Sequence, residues 1–547
     1  MLCSLTRHAL GTAFLAATLS ASPVFAQDAD PTGPAITAPG DAGEVPPDPE
    51  AFVAPEGADD EFLFTPDVSD TGMGADPVLE EDVNTAPTPN PFQPLLFENN
   101  FLYLDNPGAD RGKMFEWLKR RKLCGDCVVV SAGGQIRHQY KNLDNRSLFT
   151  GTPTTPRTNN ESLVRLRTYL DAEIGGWFRA YVEYLDASYN NSSLPPLAID
   201  ENRSDLLNVF GEAHLWTWDD GAKTSARVGR QQLTAGAQRL LSPLFWANAP
   251  RTFSGGKLFT KGSKKFDTEI FWVRPTNAFY WTQFHPTSYD QPSQSTWLAG
   301  LVGYTRGNEN IQAMPFLFIL REEDALPGPQ AGPGHRNYSG NPDNLVWTVG
   351  SRFDGKVSDW LYDIEGGMQL GTSGSKDIVA GMMTVGIGRE MPDVFWTPTV
   401  WAWFDWASGD SDPFDGTIGT FNQLYPLAHK YFGFIDLVAR QNVYDANFQV
   451  FVKPTKKLTL LAWSHFMWLA EKRDGLYNAA GIVSFQDPTG RSGQHIGNEL
   501  DLVALYKVTN NVSLEVSYNH FWSGNFIRNQ GGQQQAHLLY TQILVNF

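Results

Sequence analysis

From Val128 onward the chain alternates apolar and ionic residues with a period of two, in segment after segment. That period puts successive side chains on opposite faces of a strand. In 162–174, Val164, Leu166, Thr168 and Leu170 make one face, and Arg165, Arg167, Tyr169 and Asp171 the other. Phe178, Ala180, Val182 and Tyr184 likewise oppose Arg179, Tyr181 and Glu183. Val209, Gly211, Ala213 and Leu215 oppose Asn208, Glu212 and His214, and Leu500, Leu502, Ala504 and Tyr506 oppose Glu499 and Asp501. The polar face of a soluble sheet meets bulk water and tends to carry Lys, Thr and Ser. Here arginines and carboxylates recur on nearly every strand. A wall with an apolar outside and a confined, charged inside has this pattern.

The last eleven residues carry it to the chain end. Leu539, Thr541, Ile543, Val545 and Phe547 form one face, and Leu538, Tyr540, Gln542, Leu544 and Asn546 the other. Ending on an aromatic residue suits a membrane barrel, whose last strand pairs with its first and whose interfaces carry aromatic girdles. It resembles the closing strand of bacterial outer-membrane proteins. Tight links are expected at Gly175-Gly176, Asp219-Asp220-Gly221, 274–277, 306–309, 453–457 and 509–511. Long excursions are expected near 142–161, 189–204, 236–263, 322–343, 408–442, 471–497 and 523–535. Short periplasmic turns and longer outside loops belong to outer-membrane barrels. The expectation is an all-β, transmembrane antiparallel barrel of about 18 strands over 128–547, provided 431–442 is loop, and wide enough for an aqueous channel.

Residues 1–26 read as a secretory signal: Arg7 and His8, an apolar centre from Ala9 to Leu19, and a small-residue site at Val24-Phe25-Ala26. Cys3 lies before that centre and would be lost with it. Residues 27–100 hold 17 Asp or Glu and no Lys or Arg, so most of the net charge of −18 belongs to them. Rich in Pro, Ala and Gly and without apolar period, this stretch is expected to be a disordered acidic segment. Its apolar patches, Phe62-Leu63-Phe64 and Phe92 to Phe97, could dock on a partner. In 101–127, Met114, Trp117 and Leu118 lie at helical spacing among basic residues and predict a short basic helix. Cys124 and Cys127 follow. Export implies an oxidising compartment, and there is no second cysteine pair to complete a zinc site, so a local disulfide is expected.

Asp410, Asp412 and Asp415 precede Gly416, but their spacing is not that of a calcium loop, and an acidic outside loop is the better reading. His429, between Tyr425 and Tyr431, reads as part of a packed loop. No phosphate-binding loop, GxSxG or HExxH motif is present. No enzyme activity and no cofactor are expected.

Two stretches are more specific. In 226–258 they are Gly229-Arg230-Gln231, Gln238-Arg239-Leu240, Trp246-Ala247-Asn248 and Arg251-Thr252-Phe253. In 403–442 they are Asp405, Ser408-Gly409-Asp410, Thr420-Phe421-Asn422, Tyr425-Pro426, His429, Tyr431, Gly433, Asp436 and Arg440. Both resemble the alginate-export family of outer-membrane barrels. The chain departs at Ala237 and Ser254, where the family tends to carry an acid. The resemblance implies an 18-stranded barrel whose arginine-lined lumen passes a polyuronate. Arginine suits a carboxylated polymer, being planar, bidentate and permanently charged. The candidates are Arg137, Arg165, Arg167, Arg227, Arg230, Arg352 and Arg389 on the wall. Arg239, Arg251 and Arg440 are expected on loops folded toward the mouth. Arg165 and Arg167, two apart, would lie about 6–7 Å from one another on one face. Asp171, Glu183, Glu212, Glu499 and Asp501 are the lumen carboxylates that keep a polymer from sticking. Expected partners are outer-membrane lipid, an anionic polysaccharide or related acidic solute, and periplasmic secretion components, with no nucleic acid. The alternatives are a general or small-solute porin on the same scaffold, a barrel enzyme acting on lipid or polysaccharide, and a secreted soluble β-protein.

Overall fold

The computed structural model describes residues 90–547 except 107, 110, 111, 113, 126, 146–157, 191–195, 198, 278–289, 306–309, 324–342 and 413. The expected signal, the tail as far as residue 89 and the 306–309 turn lie outside the described residues. Eighteen strands form the wall. The first nine are β1 (Val128–Asp144), β2 (Thr158–Ile174), β3 (Phe178–Asn190), β4 (Asn202–Thr217), β5 (Lys223–Gln231), β6 (Phe253–Lys261), β7 (Phe266–Asn277), β8 (Thr296–Thr305) and β9 (Gln312–Glu322). The second nine are β10 (Asn344–Val357), β11 (Trp360–Ser373), β12 (Lys376–Glu390), β13 (Thr399–Ala407), β14 (Val443–Thr455), β15 (Leu458–Leu469), β16 (His495–Lys507), β17 (Val512–Ser523) and β18 (Gln535–Asn546).

Each strand pairs antiparallel with the next, and β18 pairs with β1 from Gln135↔Asn546 to Asp144↔His537, closing the barrel. Closure leaves no edge, which a lipid environment demands because it offers backbone groups no water. The outward residues are the apolar ones: Val164, Leu170, Val209, Ile270, Val379, Phe448, Leu502, Leu539 and Ile543 are exposed. Exposed aromatics gather near both ends of the strands. Trp216, Trp218, Phe266, Trp360 and Tyr506 lie where the links are short, and Tyr140, Trp347, Trp468 and Trp522 at the opposite end. These are the two girdles of a membrane barrel, and the short links mark the periplasmic end.

Three features differ from expectation. Residues 253–261, assigned to an excursion, form β6, and 274–277 lies in β7 rather than in a turn. Ser254-Gly255-Gly256 hides the alternation there. A Cβ on Gly255 would lie 2.3 Å from the Trp272 carbonyl oxygen, so the close approach of β6 and β7 requires glycine. The predicted basic helix is instead a single 3-10 turn, Glu116–Leu118, followed by a short strand, Arg121–Leu123, paired with β1. Phe115 and Arg120 adopt left-handed backbone (φ 61° and 46°), which interrupts any helix, and Met114 and Trp117 are exposed. Cys124 is a free, exposed thiol at φ 55°, so no Cys124–Cys127 bridge forms.

The acidic segment also ends earlier than residue 100. Phe92, Leu95, Leu96 and Phe97 are buried at the turn end. This run is short and broken by Pro91 and Pro94, so it shows no period. The barrel itself is the partner on which it docks.

Candidate functional site: a filled, charge-paired lumen

Two excursions fold back into the barrel rather than outward. They are 232–252, between β5 and β6, and 408–442, between β13 and β14. Inside, the Ser242 amide donates to the Tyr425 carbonyl (2.8 Å), Tyr425 to Leu240 (3.0 Å) and Leu427 to Gln238 (2.9 Å). Both stretches are rich in large apolar residues, and Leu240, Leu241, Phe245, Trp246, Phe421, Leu424, Phe432 and Ile435 are buried together. Their apolar side chains find in one another the cover that the polar inner wall cannot give.

The wall grips these excursions through polar side chains. Arg137 and Arg165 both donate to the carbonyls of Phe245 (3.2 and 2.8 Å) and Ala247 (3.0 and 2.9 Å). Lys141 lies 4.2 Å from the Trp246 ring centroid. The Asn248 amide reaches the carbonyls of Val164, Ser188 and Asp200. Gln369 donates to the Asn422 carbonyl (2.7 Å) and accepts from its amide (2.8 Å). The Glu499 carboxylate accepts the Ile435 amide at 2.8 Å. Asp501 lies 3.8 Å from His465.

Three arginines belong to the excursions. Arg239 bridges two wall carboxylates, Asp363 (2.6 Å) and Glu365 (2.7 Å). Arg352 shares Asp363 (2.9 Å) from the strand alongside. Arg440 pairs with Asp405 at 2.7 Å and donates to Thr384. Arg251 donates to the Ser242 carbonyl and faces the Tyr425 ring. Buried ion pairs of this kind contribute little net stability, but losing one partner leaves an uncompensated charge.

Toward the turn end the pairs are Arg167–Glu183 (2.6 Å), Arg179–Asp171 (2.7 Å), Arg227–Glu212 (2.6 Å) and Lys257–Glu269 (2.7 Å). Arg230 binds Asp205 at the opposite end. Arg389, expected in the lumen, is instead exposed on the outward face, 5.2 Å from the Trp360 ring centroid in the turn-end girdle. Its neighbours Ile378, Ala380 and Met382 are the inward set of β12, which puts odd positions outside. The Asp410 and Asp415 carboxylates accept nearby backbone amides, from Asp412 and Thr417. No group of three or more metal-ligating side chains occurs among the described residues.

Lys141, Arg179, Lys257, Asp363, Glu365 and Gln369 were not singled out from the sequence as site residues. The parity of β11 carries Asp363, Glu365 and Gln369, alternating with exposed Ile364, Met368 and Leu370.

The alginate-export family model matches residues 128–541, which is the whole wall as far as β18. The chain belongs to the alginate-export family. It is therefore a channel barrel of the bacterial outer membrane, in contact with membrane lipid and a transported solute. Family and fold are those of a transport barrel, not of an enzyme class. No curated protein matches the chain. Among solved structures, the chain is similar to OccK8 (OprE) of Pseudomonas aeruginosa, at 12% identity and TM-score 0.49, covering 76% of this chain and 98% of that one. It is also similar to the outer-membrane protein OprD of the same organism, at 11% identity and TM-score 0.46, covering 76% and 94%.

Proposed function

We propose that this channel passes an anionic polysaccharide of the polyuronate class, or a related acidic solute, along a path of arginines. The path runs by Arg137, Arg165, Arg167 and Arg227 on one wall and by Arg239, Arg251, Arg352 and Arg440 around the excursions. One observation carries the reading: Arg137 and Arg165 converge on two backbone carbonyls. A carbonyl is a weaker partner for guanidinium than a carboxylate, and a uronate can engage the same fork bidentately. A passing polymer therefore has a reason to exchange with the excursion. The ion pairs of Asp171, Glu183 and Glu212, together with Glu499 and Asp501, limit how tightly the polymer is held, since conduction needs binding weak enough to leave.

Single-channel recording in planar bilayers tests this. Polyuronate is expected to block at concentrations about ten-fold or more below those of a neutral glycan of equal length, a preference of about 1.4 kcal/mol. Equal block by the two polymers would assign a general porin instead.

A further inference from the structure

The turn end of the lumen holds a second arrangement, separate from the excursions. Tyr169 stacks on Tyr181 (centroids 5.7 Å apart, 21°), and Tyr181 stacks on Phe210 (5.1 Å, 17°). The three rings form a continuous inward ladder across β2, β3 and β4. Arg179, Arg227 and Lys261 stand around it. Arg227 lies 4.3 Å from the Phe210 centroid.

The chain's own lead-in occupies this surface. The Phe97 ring meets Tyr181 and Phe210 edge-on, at 5.7 and 5.3 Å. Arg179 donates to the Phe97 carbonyl at 2.5 Å, and Lys261 pairs with the Glu98 carboxylate at 3.3 Å. Two consecutive residues thus present an apolar ring, edge-on, a neutral oxygen and a carboxylate to an aromatic ladder rimmed by Lys261 and by Arg179 and Arg227, the last two each also paired with a carboxylate, Asp171 and Glu212. A hexuronate residue presents the same three things. Its pyranose C–H groups cover an aromatic face, its hydroxyls accept hydrogen bonds and its carboxylate seeks a cation.

We propose that the Tyr169–Tyr181–Phe210 ladder, with Arg179, Arg227 and Lys261, is a binding subsite for one acidic sugar residue at the periplasmic entrance. Phe97 and Glu98 are its intramolecular competitor. This rests on the polyuronate reading above and adds to it a place of entry and an occupant that must leave. A tethered competitor acts at an effective concentration on the order of millimolar. A free sugar of comparable intrinsic affinity is therefore largely excluded until the competitor is weakened. The Glu98–Lys261 contact is partly exposed, so solvent screens it. The competitor is held by its ring and by the Arg179 bond to its carbonyl.

The test uses the full chain in detergent, with heat-modifiable migration confirming a folded barrel. Binding of a hexuronic-acid trisaccharide and of its carboxyl-reduced neutral counterpart is measured by titration calorimetry. Phe97→Ala with Glu98→Gln is expected to tighten binding of the acidic trisaccharide at least ten-fold over the parent, and to tighten that of the neutral one less. Adding Tyr181→Leu and Lys261→Gln is expected to abolish the gain. Should the first pair fail to fold, Phe97→Leu with Glu98→Gln keeps apolar filling while removing the aromatic contact, and is expected to give a smaller gain in the same direction, lost again on adding the Tyr181 and Lys261 changes. No gain in a folded competitor variant, or a gain that survives the Tyr181 and Lys261 changes, would overturn the subsite. Polyuronate block of the parent channel is scored separately. Block without the gain refutes the subsite alone, whereas loss of polyuronate-selective block refutes the transport reading.

Discussion

Arg137 and Arg165 stand directly opposite one another across β1 and β2 and donate to the same two carbonyl oxygens, those of Phe245 and Ala247. Like charges in that register repel. Here the 232–252 excursion places the negative ends of two peptide dipoles between them, so the wall and the excursion stabilise each other.

Replacing both with Gln is expected to loosen the excursion without opening the wall, because the lipid face is untouched. Conductance should rise several-fold and anion preference should fall, while the heat-modifiable fraction stays at the parent level. Each hydrogen bond from a charged group contributes roughly 1.5–3 kcal/mol. Unchanged conductance would mean that Asn248 and the apolar contacts hold the excursion unaided.

Leu166 lies between Arg165 and Arg167 on the outward face, so Leu166→Arg sets a charge against lipid. Near the midplane this costs about 2–4 kcal/mol and should lower the folded fraction in vesicles. Normal insertion of Leu166→Arg would place this residue clear of the hydrocarbon.

Arg239 joins Asp363 and Glu365 and shares Asp363 with Arg352. Arg239→Gln leaves four buried charges, Asp354, Asp363 and Glu365 against Arg352 alone, with a net negative balance. Breaking such a network is expected to cost about 3–5 kcal/mol. Denaturant unfolding in detergent reads the loss. Adding Asp363→Asn should recover part of it, and an additive double variant would deny the coupling.

Lys119 is buried beneath Phe101 and Tyr169 and donates to the Phe547 main-chain oxygen at 2.9 Å. Burial pushes its ammonium down to about 7. Its pKa is lower when docked, so the undocked chain binds more protons between pH 7 and the ordinary lysine range. Docking should therefore strengthen as pH rises through that window and be weakest below it. Hydrogen exchange around residues 115–121 at pH 6 and pH 9, corrected for intrinsic rates, reads the difference, and Lys119→Gln should remove it. A flat profile would mean that Lys119 keeps its proton when docked.

The wall was legible because a period of two states directly which side chains share a face. Arg165, Arg167, Glu183 and Asp501 point inward as their parity dictates. Their partners were not legible. Arg137 and Arg165 meet backbone carbonyls 108 and 80 residues away, and a carbonyl has no signature in sequence. The excursions are apolar without period, so nothing in them distinguishes an outside loop from one packed within. Arg389 failed for a related reason. In Gly386-Ile387-Gly388-Arg389 the glycines remove the contrast that would have told inside from outside. Phe92 to Phe97 was visible as an apolar patch, but only the folded barrel supplies the surface it covers.

The seam between β1 and β18 has a consequence for when this protein can acquire its shape. Most wall pairings join neighbours in sequence and can form as soon as both strands exist. The seam joins Gln135 to Asn546 across 411 residues, and Lys119 reaches Phe547 across 428. The entropy of closing so long a loop grows only slowly with length, yet the contact cannot form at all until the final strand has been delivered. Until then the sheet carries two unpaired edges, each a template for joining the wrong chain. A cell making this barrel must shield an almost finished wall through export, and a chain truncated within its last dozen residues would be stranded in that state.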